Sequence, residues 1–227
     1  MINDHLSQRL KMVASYVPED SIVADIGTDH AYLPIYLVEN NHVSKVIGSE
    51  VAKGPYRNAV RNVRDARMDG IIDLRFGDGV QTLSKDEPID VITICGMGGK
   101  TIAHILSAGL AAEILPVSRL ILQPNTDEWA VRLWLAQHQY EIKKEVIMEE
   151  GRGIYEIIVA DHVTSKVDYS RLDIRFGPFL RREKDGLFMN KYQQEKENID
   201  RILQHVPANT PRYRYLMEHL NELKEVL

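Results

Sequence analysis

A single cysteine, Cys95, stands in the 227 residues, so the chain can close no disulfide within itself. No Cys/His cluster has zinc-finger spacing either, which predicts a reducing compartment and no metal site. Long apolar runs are missing as well: nothing approaches the roughly 20 residues of a membrane span. Asp4, Arg9 and Lys11 interrupt what would have to be the apolar core of a signal peptide, so a cytoplasmic protein is expected. Nor is there an excess of positive charge. Against 33 Asp+Glu stand 28 Lys+Arg, a formal net of -5, so attraction to a polyanion would have to be local.

What is present, 44% hydrophobic and 27% charged residues, suits an ordinary globular chain. Short β-branched runs at 22–26, 45–49, 72–76, 89–95 and 120–123 alternate with helical patterns at 31–40, 55–67, 100–108 and 128–138. Near-continuous apolar runs such as VITIC predict strands covered on both faces, as in a doubly wound parallel α/β sheet. Segments 141–148 and 155–160 are separated only by the EEGRG turn region, too short for a crossover helix, and should pair antiparallel. Leu6, Leu10, Val13 and Val17 recur at helical spacing and predict an amphipathic helix over 4–17.

From about Val163 the β-branched runs vanish, which divides the chain into an α/β domain, 1–162, and a helical domain, 163–227. In the latter, Leu216, Leu220, Leu223 and Leu227 form one stripe, and Phe188, Tyr192, Ile199, Leu203 and Val206 another. The two prolines of VPANTPR separate them, so a coiled-coil-like antiparallel hairpin is expected. The leucine stripe can close within one chain or between two; a monomer is favoured. Charge divides at the same place: 12 Lys+Arg face 10 Asp+Glu in 163–227, leaving 16 against 23 in 1–162. Arg175, Arg181, Arg182 and Lys184 gather ahead of the first long stripe and offer a basic surface.

The chemistry concentrates at predicted strand ends. In VADIGTDHAYLP, a strand reaching Asp25, a turn at Gly27 and a helix from about Ala31 describe a nucleotide-type site. A dinucleotide fingerprint would place its second glycine where this chain has Asp29, whose carboxylate would repel a pyrophosphate. Asp25 and Asp29 instead suit S-adenosylmethionine, which carries a sulfonium and an ammonium; the alternative is that Asp29 only caps the helix. Glu50, about 20 residues after the glycine turn, can accept from both ribose hydroxyls, or can be a solvated strand-end carboxylate. Asp78 in FGDG can accept from an adenine amino group, though Gly-Asp-Gly also makes an ordinary turn. CGMGGKT after the fourth strand lacks the Walker glycine and permits close approach of a flat base, with Met97 packing on base, cofactor or core. Arg57, Arg61, Arg64 and Arg67 share helical spacing and form either a phosphate-binding ridge or a solvated face. Arg9 is a second candidate for substrate contact, near the site mouth.

These segments resemble the TrmK family, the bacterial tRNA (adenine-22 N1)-methyltransferases. The likeness covers LSQRLKMVASYV, DIGTDHAYLP, GSEVAKGPYRNA, LRFGDGV, ICGMGGKTI, LILQPN and EEGRGIYEII, and continues through FGPFL into the tail. It implies a class I, Rossmann-like methyltransferase domain with S-adenosylmethionine as cofactor, tRNA as partner and a helical C-terminal extension. Its cofactor pocket maps onto Asp25, Ile26, Gly27, Thr28, Asp29, His30, Glu50, Val51, Asp78, Gly79, Gly96, Met97 and Gly98. Asp29, His30 and Met97 are the candidates for roles in the reaction, with Arg181, Arg182 and Lys184 joining the ridge and Arg9 as tRNA contacts. Rival readings are a methyltransferase acting on another RNA position or on a small molecule, a nicotinamide-dependent oxidoreductase, and a non-catalytic cofactor sensor.

Overall fold

A computed structural model describes residues 6–40 and 43–227. Seven strands form one sheet in the order β3-β2-β1-β4-β5-β7-β6. Strands β1 (Ile22–Ile26), β2 (Lys45–Glu50), β3 (Ile72–Phe76), β4 (Val91–Gly98) and β5 (Arg119–Thr126) are mutually parallel. Strands β6 (Tyr140–Glu150) and β7 (Gly153–His162) close the sheet as an antiparallel hairpin, with β7 between β5 and β6. The expected fold class is the one observed.

The apolar run of β4 is covered on both faces, with Val91, Ile92, Thr93 and Ile94 all buried. Helices α1 (Gln8–Ala14), α2 (Tyr32–Asn40) and α3 (Lys53–Asp65) build the core on one face, through Val13, Leu37 and Val63 among others. On the other face α4 (Gly99–Ala111) and α5 (Glu128–Gln137) contribute Leu106 and Trp134. Helix α1 is shorter than the pattern over 4–17 predicts, because Ser7 caps it by accepting from the Leu10 amide at 3.3 Å. Residues 4 and 5 of that expectation lie outside the described residues.

The tail begins with two short helices that the stripe pattern does not reveal, α6 (Arg171–Phe176) and α7 (Leu180–Glu183). Helices α8 (Gly186–Leu203) and α9 (Pro211–Val226) then pack as a hairpin, joined by His219 Nε2 and Glu195 Oε1 at 2.7 Å. Their core of Phe188, Tyr192, Ile199, Leu220 and Leu223 also takes in Phe176 and Ile147 of β6. A buried ionic cluster reinforces this seam. Arg132 of α5 bonds Glu145 at 2.7 Å and also Glu156, while Lys191 of α8 bonds Glu156 and Glu128, each at 2.6 Å.

Candidate active site

Because β1 and β4 run parallel side by side, their carboxyl ends open one crevice at the sheet edge, the usual ligand position in such folds. A wider depression involving Asp20, Asp90 and Arg119 lies at the opposite, amino-terminal edge. The crevice is a cleft of about 160 Å³. It brings together Arg9, Asp25, Gly27, Thr28, Asp29, His30 and Gly96, seven of the residues singled out from the sequence.

Asp25 is buried, and its Oδ1 accepts from Thr93 Oγ1 at 2.7 Å. Burial raises its pKa above the ordinary value; hydrogen bonding opposes this, and the nearby Glu50 charge adds to it. At Gly27 the chain turns with φ +75, and the Gly27 and Thr28 amides both donate to the Ser49 carbonyl at 2.9 Å. A Cβ on Gly27 would lie 2.3 Å from Met97 Cε, so the β4 methionine packs directly on the turn. Asp29 and Ala31 follow in the left-handed region, at φ 52 and φ 60. Such conformations in non-glycine residues cost free energy and concentrate at functional sites.

Asp29 does not act as the helix cap. Its side chain is 66% exposed, with Oδ1 3.5 Å from His30 Nε2. No hydrogen bond joins it to the first turn of α2 among the described residues. The His30 ring stacks on Tyr32 at 5.6 Å, and the His30 carbonyl accepts from Asn62 of α3 at 2.9 Å.

Glu50 is not a solvated carboxylate either. It is 9% exposed; Oε2 accepts from the Asp29 amide at 3.0 Å and Oε1 from the Ala52 amide at 2.7 Å. These bonds fix the carboxylate's plane, and each oxygen retains further acceptor capacity. The Gly77 amide donates to the Glu50 carbonyl at 3.0 Å, which draws the FGDG turn alongside. There Asp78 is exposed and Gly79 takes φ +52. Val51, next to Glu50, is 60% exposed, whereas Ile26 is buried beneath the turn.

The fourth strand ends in a bulge across Cys95, Met97 and Gly98. Gly96, at φ +77, donates its amide to Gln123 Oε1 at 3.0 Å, and its carbonyl accepts from Asn125 Nδ2 at 2.8 Å. Gln123 and Asn125 were missed in the sequence, although a polar side chain closing an apolar strand just before Pro124 was the available signal. Both also hold Arg9, whose Nη1 donates to Gln123 Oε1 at 2.7 Å and to Asn125 Oδ1 at 3.0 Å. The Arg9 guanidinium lies 4.4 Å over the Tyr155 ring, so α1 and the β6–β7 hairpin meet at the cleft wall. Cys95 lines the same wall, and burial pushes its thiol pKa up, away from the reactive thiolate.

Among the basic candidates, Arg57, Arg61 and Arg64 project from α3 and Arg67 from just beyond it, all exposed. Arg182 and Lys184 are exposed on and after α7. The expected tail cluster needs a correction: Arg181 bonds Asp173 at 2.6 Å, and Arg175 bonds Glu222 at 3.2 Å. Both cations are neutralised within the tail rather than presented with Arg182 and Lys184. No group of three or more His, Cys, Asp or Glu that could hold a metal occurs among the described residues.

The family profile of TrmK, tRNA (adenine(22)-N(1))-methyltransferase, matches residues 23–225. The chain belongs to the TrmK family. It is 38% identical over 232 residues to the tRNA (adenine(22)-N(1))-methyltransferase of Bacillus subtilis, covering 98% of this chain and 97% of that one. Among solved structures, Sp1610 of Streptococcus pneumoniae in complex with S-adenosyl-L-methionine superposes with a TM-score of 0.89 at 40% identity, covering 98% and 99% of the two chains. TrmK of M. capricolum, in complex with S-adenosyl-homocysteine, gives 0.87 at 31% identity over 97% and 96%. The TrmK likeness therefore spans the α/β sheet and the helical tail together.

Proposed function

We propose that this chain transfers a methyl group from S-adenosylmethionine to N1 of adenine 22 in tRNA. The observation that carries the cofactor half is the clamped Glu50 carboxylate beside the Gly27 turn, with Asp25 and Asp78 at the neighbouring strand ends. A carboxylate-rich cleft favours a cationic ligand over a pyrophosphate, and the missing side chain at Gly27 makes room for Met97 to wall the turn. The acceptor set therefore fits S-adenosylmethionine: Glu50 accepts from the ribose, Asp78 from the adenine, and the acidic residues of the Gly27 turn face the ammonium. Bound there, the cofactor supplies a methyl group activated by its sulfonium.

Adenine N1 carries a free lone pair at neutral pH, so the protein needs no general base. Among the described residues of the cleft, no hydrogen bond joins His30 to Cys95 or to a serine. Alignment is then the main contribution of the protein. The Gln123–Gly96–Asn125 bonds set the wall along which a flat base would enter, and Met97 bounds it at the Gly27 turn. Methylation leaves a positive charge on the purine, which the exposed Asp29 carboxylate stabilises. His30 and Tyr32 offer an aromatic face at the same mouth. Because N1 lies on the pairing edge, adenine 22 must leave its tertiary or paired setting before reaction.

Positioning falls to phosphate contacts. Of the α3 arginines, Arg57 stands nearest the helix start at the carboxyl edge, whereas Arg64 lies beside Lys45 and Ile72 at the amino edge; β3 and β5 lie four strand spacings apart, about 19 Å. Arg182, beside Glu141 and Ile142 at the start of β6, would contact the RNA farther from the cleft. A cytoplasmic location follows from this substrate, and no helix among the described residues is long and apolar enough to cross a membrane. The test is nucleoside mass spectrometry of an unmodified tRNA transcript incubated with the protein and S-adenosylmethionine. One 1-methyladenosine per transcript, lost when adenine 22 is replaced, is expected; absence of methylated adenine would overturn the reading.

A further inference from the structure

A row of alternating cations and aromatic rings crosses the surface from the active-site edge to the tail. Lys100, in the first turn of α4 behind the Gly96 loop, places Nζ 5.6 Å from the Trp129 ring centre. Trp129 opens α5 at the carboxyl end of β5. Its other neighbour is Arg175 of α6, 5.8 Å from the same ring, and Arg175 lies 5.9 Å from the ring of Tyr215 on α9. Arg212 stands three residues before Tyr215 on the same helix face, exposed and without an ion pair among the described residues.

The two ends of the row are open to water. Lys100 has 66% of its side chain exposed, and Tyr215 is 55% exposed, one of the few large apolar side chains left in solvent. The middle is anchored: Arg175 donates to His219 at 3.1 Å and to Glu222 at 3.2 Å, which fixes its guanidinium between the two rings. The neighbouring carboxylates are engaged as well, Asp127 by Lys100 at 3.2 Å and Glu222 by Arg175. An exposed aromatic face beside the unpaired Arg212, with the exposed Lys100 ammonium at the far end, matches the chemistry of unstacked nucleic-acid bases joined by phosphates. A purely structural rivet would bury its rings and would not need Arg212.

We infer that Lys100, Trp129, Tyr215 and Arg212 form a track that binds an unpaired stretch of the tRNA substrate, with a base stacked on Tyr215 and phosphates on Lys100 and Arg212. The inference rests on the methyltransferase reading above and adds to it the surface that joins the tail to the chemistry.

The test compares wild type, Arg212→Ala/Tyr215→Ala, Lys100→Ala and Tyr215→Phe. Affinity for the tRNA transcript, its salt dependence, S-adenosylmethionine affinity and thermal midpoint are measured for each. The double variant should bind tRNA about tenfold or more weakly. Lys100→Ala should reduce the slope of log affinity against log salt by about one. Tyr215→Phe keeps the ring and should bind tRNA like wild type, and cofactor affinity should not move. Wild-type tRNA affinity and salt slope in both alanine variants, alongside wild-type methylation, would overturn the track but leave the function intact. Failure of the wild-type protein to methylate the transcript would overturn both.

Discussion

At the end of β2, the Glu50 carboxylate is held by two backbone amides, whereas the neighbouring Asp29 carboxylate reaches into solvent from a left-handed residue. On the proposed function, the same acidic chemistry serves cofactor binding at Glu50 and the reaction at Asp29. Glu50→Ala should raise the cofactor dissociation constant about tenfold or more, through lost ribose acceptance and a loosened turn, and calorimetric titration reads this directly. Asp29→Ala should lower kcat more than Glu50→Ala does, measured at saturating cofactor and tRNA; an unchanged kcat would remove Asp29 from the reaction. The placement of Asp25, Gly27 and Glu50 at neighbouring strand ends was legible because a glycine turn between strand-end carboxylates is a local pattern. Gln123 and Asn125 were not, since their partner Arg9 lies 114 and 116 residues away in sequence. The left-handed backbone at Asp29 and Ala31 was equally hidden, because neither residue type announces it.

Between β4 and α4, Gly99 has no room for a side chain: a Cβ there would lie 2.2 Å from the Asp127 carbonyl oxygen. Gly99→Ala must push the start of α4 away from the β5–α5 junction. It should cost about 1–3 kcal/mol in chemical unfolding, whereas Gly54→Ala, with nothing within 4 Å, should be close to neutral. On α3 the exposed arginines make a separate prediction. Arg57→Glu/Arg61→Glu should weaken tRNA binding at least tenfold at low salt, with the difference shrinking as salt rises and the melting temperature unchanged. Binding titrations at two ionic strengths check it. At this scale β-branched runs located all seven strands, and helix ends fell within a few residues of expectation. Helices α6 and α7 went unseen because four to six residues carry no period. The basic run from Arg175 to Lys184 misled for a related reason: charge was legible, but the partners Asp173 and Glu222 that neutralise two of its members were not.

Across the whole molecule, the acidic α/β part and the slightly basic tail share a buried seam. Glu156 illustrates the balance: burial pushes its pKa up, but Lys191 and Arg132 outweigh that and hold it at about 2. A carboxyl lowered in the folded state contributes stability above its unfolded pKa, and loses it as pH falls from about 4.3 toward 2. Glu156→Gln should therefore destabilise the protein by about 3–5 kcal/mol at neutral pH and flatten the decline in melting temperature across that acid range. The same seam changes the expectation for removing 163–227. From sequence alone, truncation should weaken tRNA binding and spare the cofactor. The structure shows that it would also strip Glu145 and Glu156 of partners and uncover Ile147, so the loss of tRNA binding would be mixed with unfolding. Point variants on the tail surface avoid this.

The seam also bears on which partner moves during recognition. If α3 and the tail both contact the RNA, a tail tied to the sheet through Lys191 and Glu156 would make the span between them a fixed gauge. A tRNA whose core opens readily at adenine 22 would be accepted, and one whose core resists would be refused. Substrate selection would then be governed by the mechanical compliance of the RNA rather than by the reach of the enzyme.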